Sequence, residues 1–183
     1  MTDATRAPRA EPPASLLIPR PERPDIPEYG VPWHRRGLLG WAWVSERMAT
    51  ATTYWIATTR PDGRPHAMPT WGAWMEERLW FEGGLRTRRA RNLAARPACV
   101  ASVQRGDDVI IIEGAAVRTG EPDHDLTERL LSGYTKYEAT HGYRADPGNW
   151  RVGGLWYIEP RVVFAWSRFP TDCTRWTFAT RGG

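Results

Sequence analysis

Short runs of β-branched and aromatic residues, each closed by a tight turn, restrict this chain to a sheet that folds back on itself. Thr53 to Thr59 is one such run. Arg60-Pro61-Asp62-Gly63 closes it, since Pro presets one turn angle and Gly permits positive φ. A second strand, Arg64 to Trp74, pairs back across that turn as a hairpin. Glu76-Glu77-Arg78 makes the next turn and Leu79 to Glu82 the third strand. Ala98 to Gln104 is a strand, Arg105-Gly106-Asp107 turns, and Val109 to Thr119 is a long strand. Its apolar start, Val109-Ile110-Ile111-Ile112, reads as buried on both faces. Trp156 to Glu159 and Arg161 to Trp166 give the last major strand, interrupted at Pro160. Hairpins in succession, with few long helices between them, predict a mainly β (α+β) fold: an antiparallel β-barrel with attached helices, not a parallel sheet.

Helical periodicity is confined to three places. Leu38, Trp41, Val44 and Met48 predict an amphipathic helix from Leu38 to Met48. Pro122 to about Ala139 is helical, with Leu126, Leu130 and Tyr134 on one stripe and Leu131 beside it. The third helix, about Thr87 to Ala95, stops before Pro97 and opens on Arg86-Thr87-Arg88-Arg89-Ala90-Arg91-Asn92. Four arginines in six residues, with Thr87 placed as an N-cap, gather anion-binding groups where unpaired backbone N–H groups and the helix dipole already favour negative charge. Guanidinium forks add bidentate recognition of phosphate or carboxylate. Residues 1–32, dominated by Pro, Ala, Arg and Glu, predict an extended or disordered arm ahead of a single domain, 33–183. Within the arm, Ser15-Leu16-Leu17-Ile18-Pro19 offers an apolar segment able to dock on a neighbour.

Composition narrows the function. The chain has 183 residues, 41% hydrophobic and 25% charged, as a globular domain with a real core should. Eleven tryptophans supply buried area, stacking surfaces for planar ligands and material for subunit interfaces. A net charge of +4 suits small anions, and arginines gathered at one helix start form no long stripe, so a nucleic-acid partner is not expected. Lys136 is the only lysine, a bias that lowers the weight of any single Arg. Cys99 and Cys173 are too few for a disulfide framework or a zinc site, and Cys99 reads as a core residue. No stretch is long and apolar enough to span a membrane and the N-terminus lacks a signal-peptide core, so no membrane partner and a cytoplasmic location are expected.

Taken in order, Tyr54-Trp55-Ile56-Ala57-Thr58, the turn Arg60 to His66, Met68-Pro69-Thr70-Trp71-Gly72, the Arg-rich helix start, and Asp108-Val109-Ile110-Ile111-Ile112-Glu113-Gly114-Ala115-Ala116 resemble the split β-barrel flavin- and deazaflavin-binding family related to pyridoxamine 5'-phosphate oxidase. The resemblance covers about Trp41 to Trp166 and implies a split barrel of the FMN-binding type. It implies that His66, Met68, Pro69, Thr70 and Trp71 present their strand to the cofactor ring. The helix start would hold the cofactor phosphate, which carries over to Arg86, Thr87, Arg88 and Asn92 with Arg89 and Arg91 adjacent. Many relatives have Lys where this chain has Arg88 or Arg89, so the phosphate role carries over without choosing one Arg. A homodimer with cofactor at its interface is implied, Trp156 or Trp166 of the second subunit closing the site.

The implied function is a hydride transfer between bound FMN or the deazaflavin coenzyme F420 and a small organic substrate, the arginine density suiting the longer deazaflavin anion. Cofactor chemistry of this kind needs no catalytic triad, and no catalytic residue is singled out. Tyr134, Tyr137, His141 and Tyr143 are candidates to line a substrate pocket, and Tyr134 and Tyr137 are weak candidates for a general acid. True pyridoxamine phosphate oxidase activity is not expected, because Cys173-Thr174-Arg175-Trp176-Thr177-Phe178 lacks that enzyme's Arg-Leu-containing ending. The alternative is a flavin- or haem-binding carrier of the same fold, without catalysis.

Overall fold

The computed structural model describes residues 13–179, without the side chains of 152 and 153. Helix α1, Trp41–Thr50, leads into strands β1 (Tyr54–Thr59), β2 (Pro65–Thr70), β3 (Ala73–Met75) and β4 (Arg78–Glu82). Helix α2, Arg88–Ala95, precedes β5 (Ala98–Arg105) and β6 (Asp108–Arg118). Helices α3, His124–Tyr134, and α4, Lys136–His141, come before β7 (Leu155–Trp166) and β8 (Thr174–Thr177). All strand pairs are antiparallel, in the order β2-β1-β5-β6-β7-β4-β3, with β8 also beside β7. The fold is the split antiparallel β-barrel with attached helices that the turn pattern predicts.

The division of the barrel originates in β7. Its first residues, Leu155 to Tyr157, pair with β4, and Val162 to Ala165 pair with β8. Between them the register against β6 shifts at Glu113/Gly114, so that Pro160 faces Gly114 and Val162 faces Glu113 with Arg161 left over. Pro160 therefore does not interrupt the strand, as the sequence suggests; it sits in a bulge, where a missing N–H costs least and one residue too many bends the strand. Gly114 is required opposite it, since a Cβ there would lie 2.3 Å from the Glu159 carbonyl oxygen.

Two apolar clusters hold the layers. Inside the barrel, Ile56, Phe81, Ile110, Ile112, Ile158 and Val163 pack with Val44 and Met48 of α1 and Leu93 of α2. Outside it, the predicted stripe Leu126, Leu130 and Tyr134 packs with Tyr137, Trp150, Trp80 and Leu155. Trp80, Trp150 and Trp176 are wholly buried, each ring contributing up to about 4–6 kcal/mol of transfer free energy. Cys99 is buried in the barrel core, as its apolar setting predicts.

Several boundaries differ from expectation for local reasons. The predicted strand Arg64 to Trp74 is two strands, broken at Trp71-Gly72. The predicted helix from Pro122 to Ala139 is two, broken at Thr135. The first helix begins at Trp41, after Gly40, and continues to Thr50. Val109 to Ile112 is not buried on both faces: Ile110 and Ile112 point inward, while Val109 and Ile111 are only half-buried. Strand β8 has no alternation strong enough to announce it; it forms because Trp176 fills the core beside β7.

The described part of the N-terminal arm runs along β8. Glu22 N–H donates to the Arg175 carbonyl and Arg175 N–H to that of Glu22, both at 2.8 Å. The Arg23 guanidinium donates to the carbonyls of His34 (2.9 Å) and Cys173 (2.8 Å). Farther back, the Ala14 carbonyl accepts at 2.9 Å from Arg78, a wholly buried side chain whose Nε donates to Glu159 Oε2 at 2.8 Å. Residues 1–12 of the predicted arm lie outside the described residues.

Candidate functional site

β2 and β3 stand at opposite ends of the strand order, yet only Trp71 and Gly72 separate them in sequence. Three Cα steps from Thr70 to Ala73 span at most about 11 Å, so the sheet must curl until its ends meet. Gly72 makes the meeting possible, because a Cβ there would lie 2.5 Å from the Trp80 carbonyl oxygen. The buried Tyr137 hydroxyl then satisfies both polar groups of the seam. It accepts from Gly72 N–H and donates to the Gly72 carbonyl, each at 2.9 Å. That double bond gives Tyr137 a structural task in place of the acid role weighed from sequence. Its neighbour Tyr134 is buried with no partner for its hydroxyl among the described residues.

Close to this seam the chain leaves β4 through Gly83-Gly84 and enters α2. Gly83 N–H donates to the Gly154 carbonyl at 2.9 Å. Thr87 caps α2, its side chain accepting from Ala90 N–H at 3.2 Å. The arginines divide by role. Arg86, Arg88 and Arg91 are exposed, and among the described residues their side chains have no hydrogen-bond or ion-pair partner. Arg89 turns inward: it lies over the Phe81 ring, 5.1 Å from the centroid, and donates to the Glu82 carbonyl at 2.9 Å. Burial holds its pKa below the usual guanidinium range. Asn92 is 1% exposed, with Nδ2 donating to Thr58 Oγ1 at 2.9 Å and Oδ1 unpartnered. Thr58 Oγ1 is in turn 3.5 Å from His66 Nδ1, so Asn92 ties α2 to the start of β2.

A cavity of about 380 Å³ opens between the seam and this loop. Thr70 and Trp71 form one side, Glu82 to Leu85 another, and Tyr143, Asn149 and Gly154 close it. The Trp71 ring stacks on Tyr137 at 5.1 Å and meets Tyr143 at 4.7 Å. Trp150 Nε1 donates to Glu82 Oε2 at 2.8 Å, and the Tyr143 hydroxyl donates to Glu82 Oε1. Burial, with that bond to Glu82, pushes the Tyr143 phenol well up. A larger cleft, about 820 Å³, lies by the end of α1, but its Arg47 and Asp108 already pair with each other at 2.6 Å.

The structure thus brings Thr70 and Trp71 into one cavity with Gly83, Gly84 and Leu85, the loop that leads into α2. Met68, 49% exposed, and Pro69 lie on the edge strand β2 that leads there, with His66 at its beginning. Trp156 is 3% exposed and faces the barrel core, while Trp166 is half-buried at the other end of β7 against Phe169. Of the aromatic residues proposed to line a pocket, Tyr143 lines this cavity and, with Tyr134, a separate cleft beside α3 and α4; Tyr137 and His141 pack against Trp71. Glu82 is the wall residue that sequence reasoning missed. Its only signal is position, the last residue of a strand before Gly-Gly.

A curled antiparallel sheet with an anion-ready helix start beside its seam places the protein in the split-barrel class. Residues 44–151, more than half of the chain, match the family model described as pyridoxamine 5'-phosphate oxidase. The chain belongs to that family. Among solved structures, a conserved hypothetical protein from Mycobacterium tuberculosis is similar at 22% identity, over 73% of this chain and 88% of that one, with a TM-score of 0.57. A pyridoxamine 5'-phosphate oxidase-related, FMN-binding protein from Nostoc punctiforme is 16% identical over 76% of this chain and 90% of that one (TM-score 0.53). A haem-binding protein from Mycobacterium smegmatis is 14% identical over 76% of this chain and 58% of that one (TM-score 0.57). A search of curated proteins finds no match.

Proposed function

We propose that this protein is an oxidoreductase that binds FMN or the deazaflavin coenzyme F420 and serves hydride transfer with a small organic substrate. The observation that carries the reading is the set of three exposed guanidiniums, Arg86, Arg88 and Arg91, unpaired among the described residues, around a capped helix start that follows the cavity's Gly83–Leu85 wall in the chain. Such a cluster fits a phosphate, because the backbone N–H groups and the dipole add to the charge–charge attraction. Among the described residues strand β2 pairs only with β1, so alternate backbone groups between His66 and Thr70 are open to a flat ligand lying along the edge. The FMN-binding relative supports a flavin, and arginine density supports the longer deazaflavin anion.

When bound, the cofactor supplies the hydride acceptor or donor. The chain's own part is to bind and orient: Arg86, Arg88 and Arg91 neutralise the phosphate, while Asn92 and Thr58 hold α2 against β1. Trp71 and Tyr143 keep water from one wall of the cavity. A homodimer belongs to the same reading. Pro69, Trp55, Ser102, Ile111 and Phe164 form one row across the outer face of β2, β1, β5, β6 and β7, and none of the five is buried. A second copy covering that row would reach the edge of β2, where the cofactor ring is proposed to lie.

Fluorescence titration with FMN and, separately, with F420 tests the reading. Arg86→Ala and Arg88→Ala should each weaken binding by about 1.5–3 kcal/mol per charged hydrogen bond lost. Unchanged affinity in both variants refutes the phosphate assignment. Turnover of the reduced cofactor with a test acceptor separates an enzyme from the carrier alternative, for which the haem-binding relative is the precedent.

A further inference from the structure

Lys136, the only lysine in the chain, opens α4 and is held by neutral groups alone. Its Nζ donates to the Ala49 carbonyl, in the last turn of α1, at 3.0 Å and to Tyr54 Oη at 2.8 Å. Tyr54 Oη donates in turn to the Met48 carbonyl, so its oxygen is free to accept. Among the described residues no carboxylate lies within ion-pair distance of Nζ, and Glu138 of the same helix is taken by Arg144. An ammonium brings three N–H groups to these two acceptors, whereas a neutral amine brings two and keeps a lone pair. The rings of Tyr54 and Tyr137 stand 5.0 and 5.3 Å from Nζ. They and the end of α1 draw the charged form in, but burial outweighs them and brings the pKa down to about 8. The phenols that face the amine, Tyr54 on β1 and Tyr137 on α4, are pushed up by burial and stay protonated there. Lys136 is only half-buried, so its amine stays within reach of solvent.

We propose that Lys136 is an acylation site, taking an acyl group from an acyl phosphate or an acyl thioester, and that acylation loosens the seam at Gly72. The neutral amine attacks the carbonyl carbon; a C–N bond forms, the C–O or C–S bond breaks, and phosphate or thiolate leaves. The surplus proton of the amine passes to water. The amide that results has one N–H where the amine had two, so either Ala49 or Tyr54 loses its donor. The acyl group also needs room between the two rings that flank Nζ. Lys136 is followed directly by Tyr137, whose hydroxyl holds both polar groups of Gly72 and whose ring stacks on Trp71 at 5.1 Å. A shift in the first turn of α4 therefore reaches the seam across one peptide unit. This holds whether the protein binds FMN, F420 or neither.

The test treats the full chain with acetyl phosphate and, separately, with acetyl coenzyme A between pH 7 and 10.5, with Nα-acetyl-lysine amide present as an internal reference. Peptide mass spectrometry compares the two amines. At pH 7 Lys136 should be acetylated at least about tenfold faster than the reference, since far more of it is neutral there. Its rate should level off above about pH 8 while that of the reference goes on rising. Acetylation by either donor sustains the proposal and identifies the class that supplies the group. A rate at pH 7 that does not exceed the reference's, or one that rises in step with it to pH 10.5, overturns the site. In the acetylated protein the Gly72 amide should exchange with solvent roughly fivefold faster than before treatment, the worth of one hydrogen bond, with β5 and β6 unchanged. Unchanged exchange at Gly72 overturns the link to the seam. Lys136→Arg keeps donors for both acceptors and offers no amine, so the same treatment should leave its Gly72 exchange as it was. Faster exchange in that variant too would trace the effect to another nucleophile and overturn the proposal.

Discussion

Thr87 contributes a single oxygen, yet that oxygen decides where α2 begins. It satisfies the Ala90 N–H and leaves Arg86 and Arg88 on either side of an open helix start. Thr87→Ala should cost about 1 kcal/mol in chemical denaturation and Thr87→Ser nearly nothing. This cap was legible in the sequence because cap and donor are three residues apart. Asn92 was placed by resemblance at the phosphate but lies inside, since its partner Thr58 belongs to another strand and spacing says nothing of that. Lys136 carries a second prediction. Its Nζ donates to Tyr54 Oη at 2.8 Å and to the Ala49 carbonyl at 3.0 Å, and burial brings its pKa down to about 8. Between about pH 8 and its ordinary value of 10.5 the unfolded chain therefore binds more protons here than the native one, so this group makes stability rise with pH across that window. Cys99, raised to about 12, acts oppositely above 9, so the informative quantity is wild type minus Lys136→Met. That difference should climb from pH 8 to 10 in denaturation curves; a flat difference contradicts it.

At the scale of elements, what could be read from the chain is what neighbours in sequence decide. The turn at Arg60 to Gly63, the strand before it, the start of the strand after it and the stripe of α3 depend on local chemistry, and they stand where the sequence puts them. The bulge at Arg161 and the break at Trp71-Gly72 were not legible. Each is imposed by a backbone contact with another strand that spacing does not announce, distant β6 in the first case and β4, across the next turn, in the second. The same reason hid Glu82, whose significance comes from Tyr143 and Trp150 more than sixty residues on. Tyr137→Phe measures the seam directly. It strands the N–H and carbonyl of Gly72 in a buried setting, so thermal or chemical denaturation should register a loss of about 1–3 kcal/mol for each group left unpaired. Flavin affinity should fall with it if the ring rests on the end of β2. Gly114→Val should be worse, because backbone, and not a flexible side chain, occupies the space its Cβ needs.

For the whole molecule, the outer face of the barrel is where a second copy would be read. Trp55, half-exposed at 50%, stands in the row that runs from Pro69 to Phe164. Trp55→Glu should shift sedimentation from dimer towards monomer and weaken cofactor binding in parallel, while the circular dichroism spectrum stays that of the wild type. A dimer that persists unchanged would mean that this face is not the contact. The joined edges carry a further consequence, for the order in which the protein assembles. β2 and β3 are held together by the chain itself, so the ring closes elsewhere, where β4 pairs with β7 across a long stretch of sequence. Closing it there is a late event with a high loop cost, and by reversibility a cheap place for the native barrel to open. Amide protons of the β4–β7 pairing should exchange with solvent through a local opening, well before those of β5 and β6, and a ligand bridging Gly83 and Gly154 would act as a clasp on that joint.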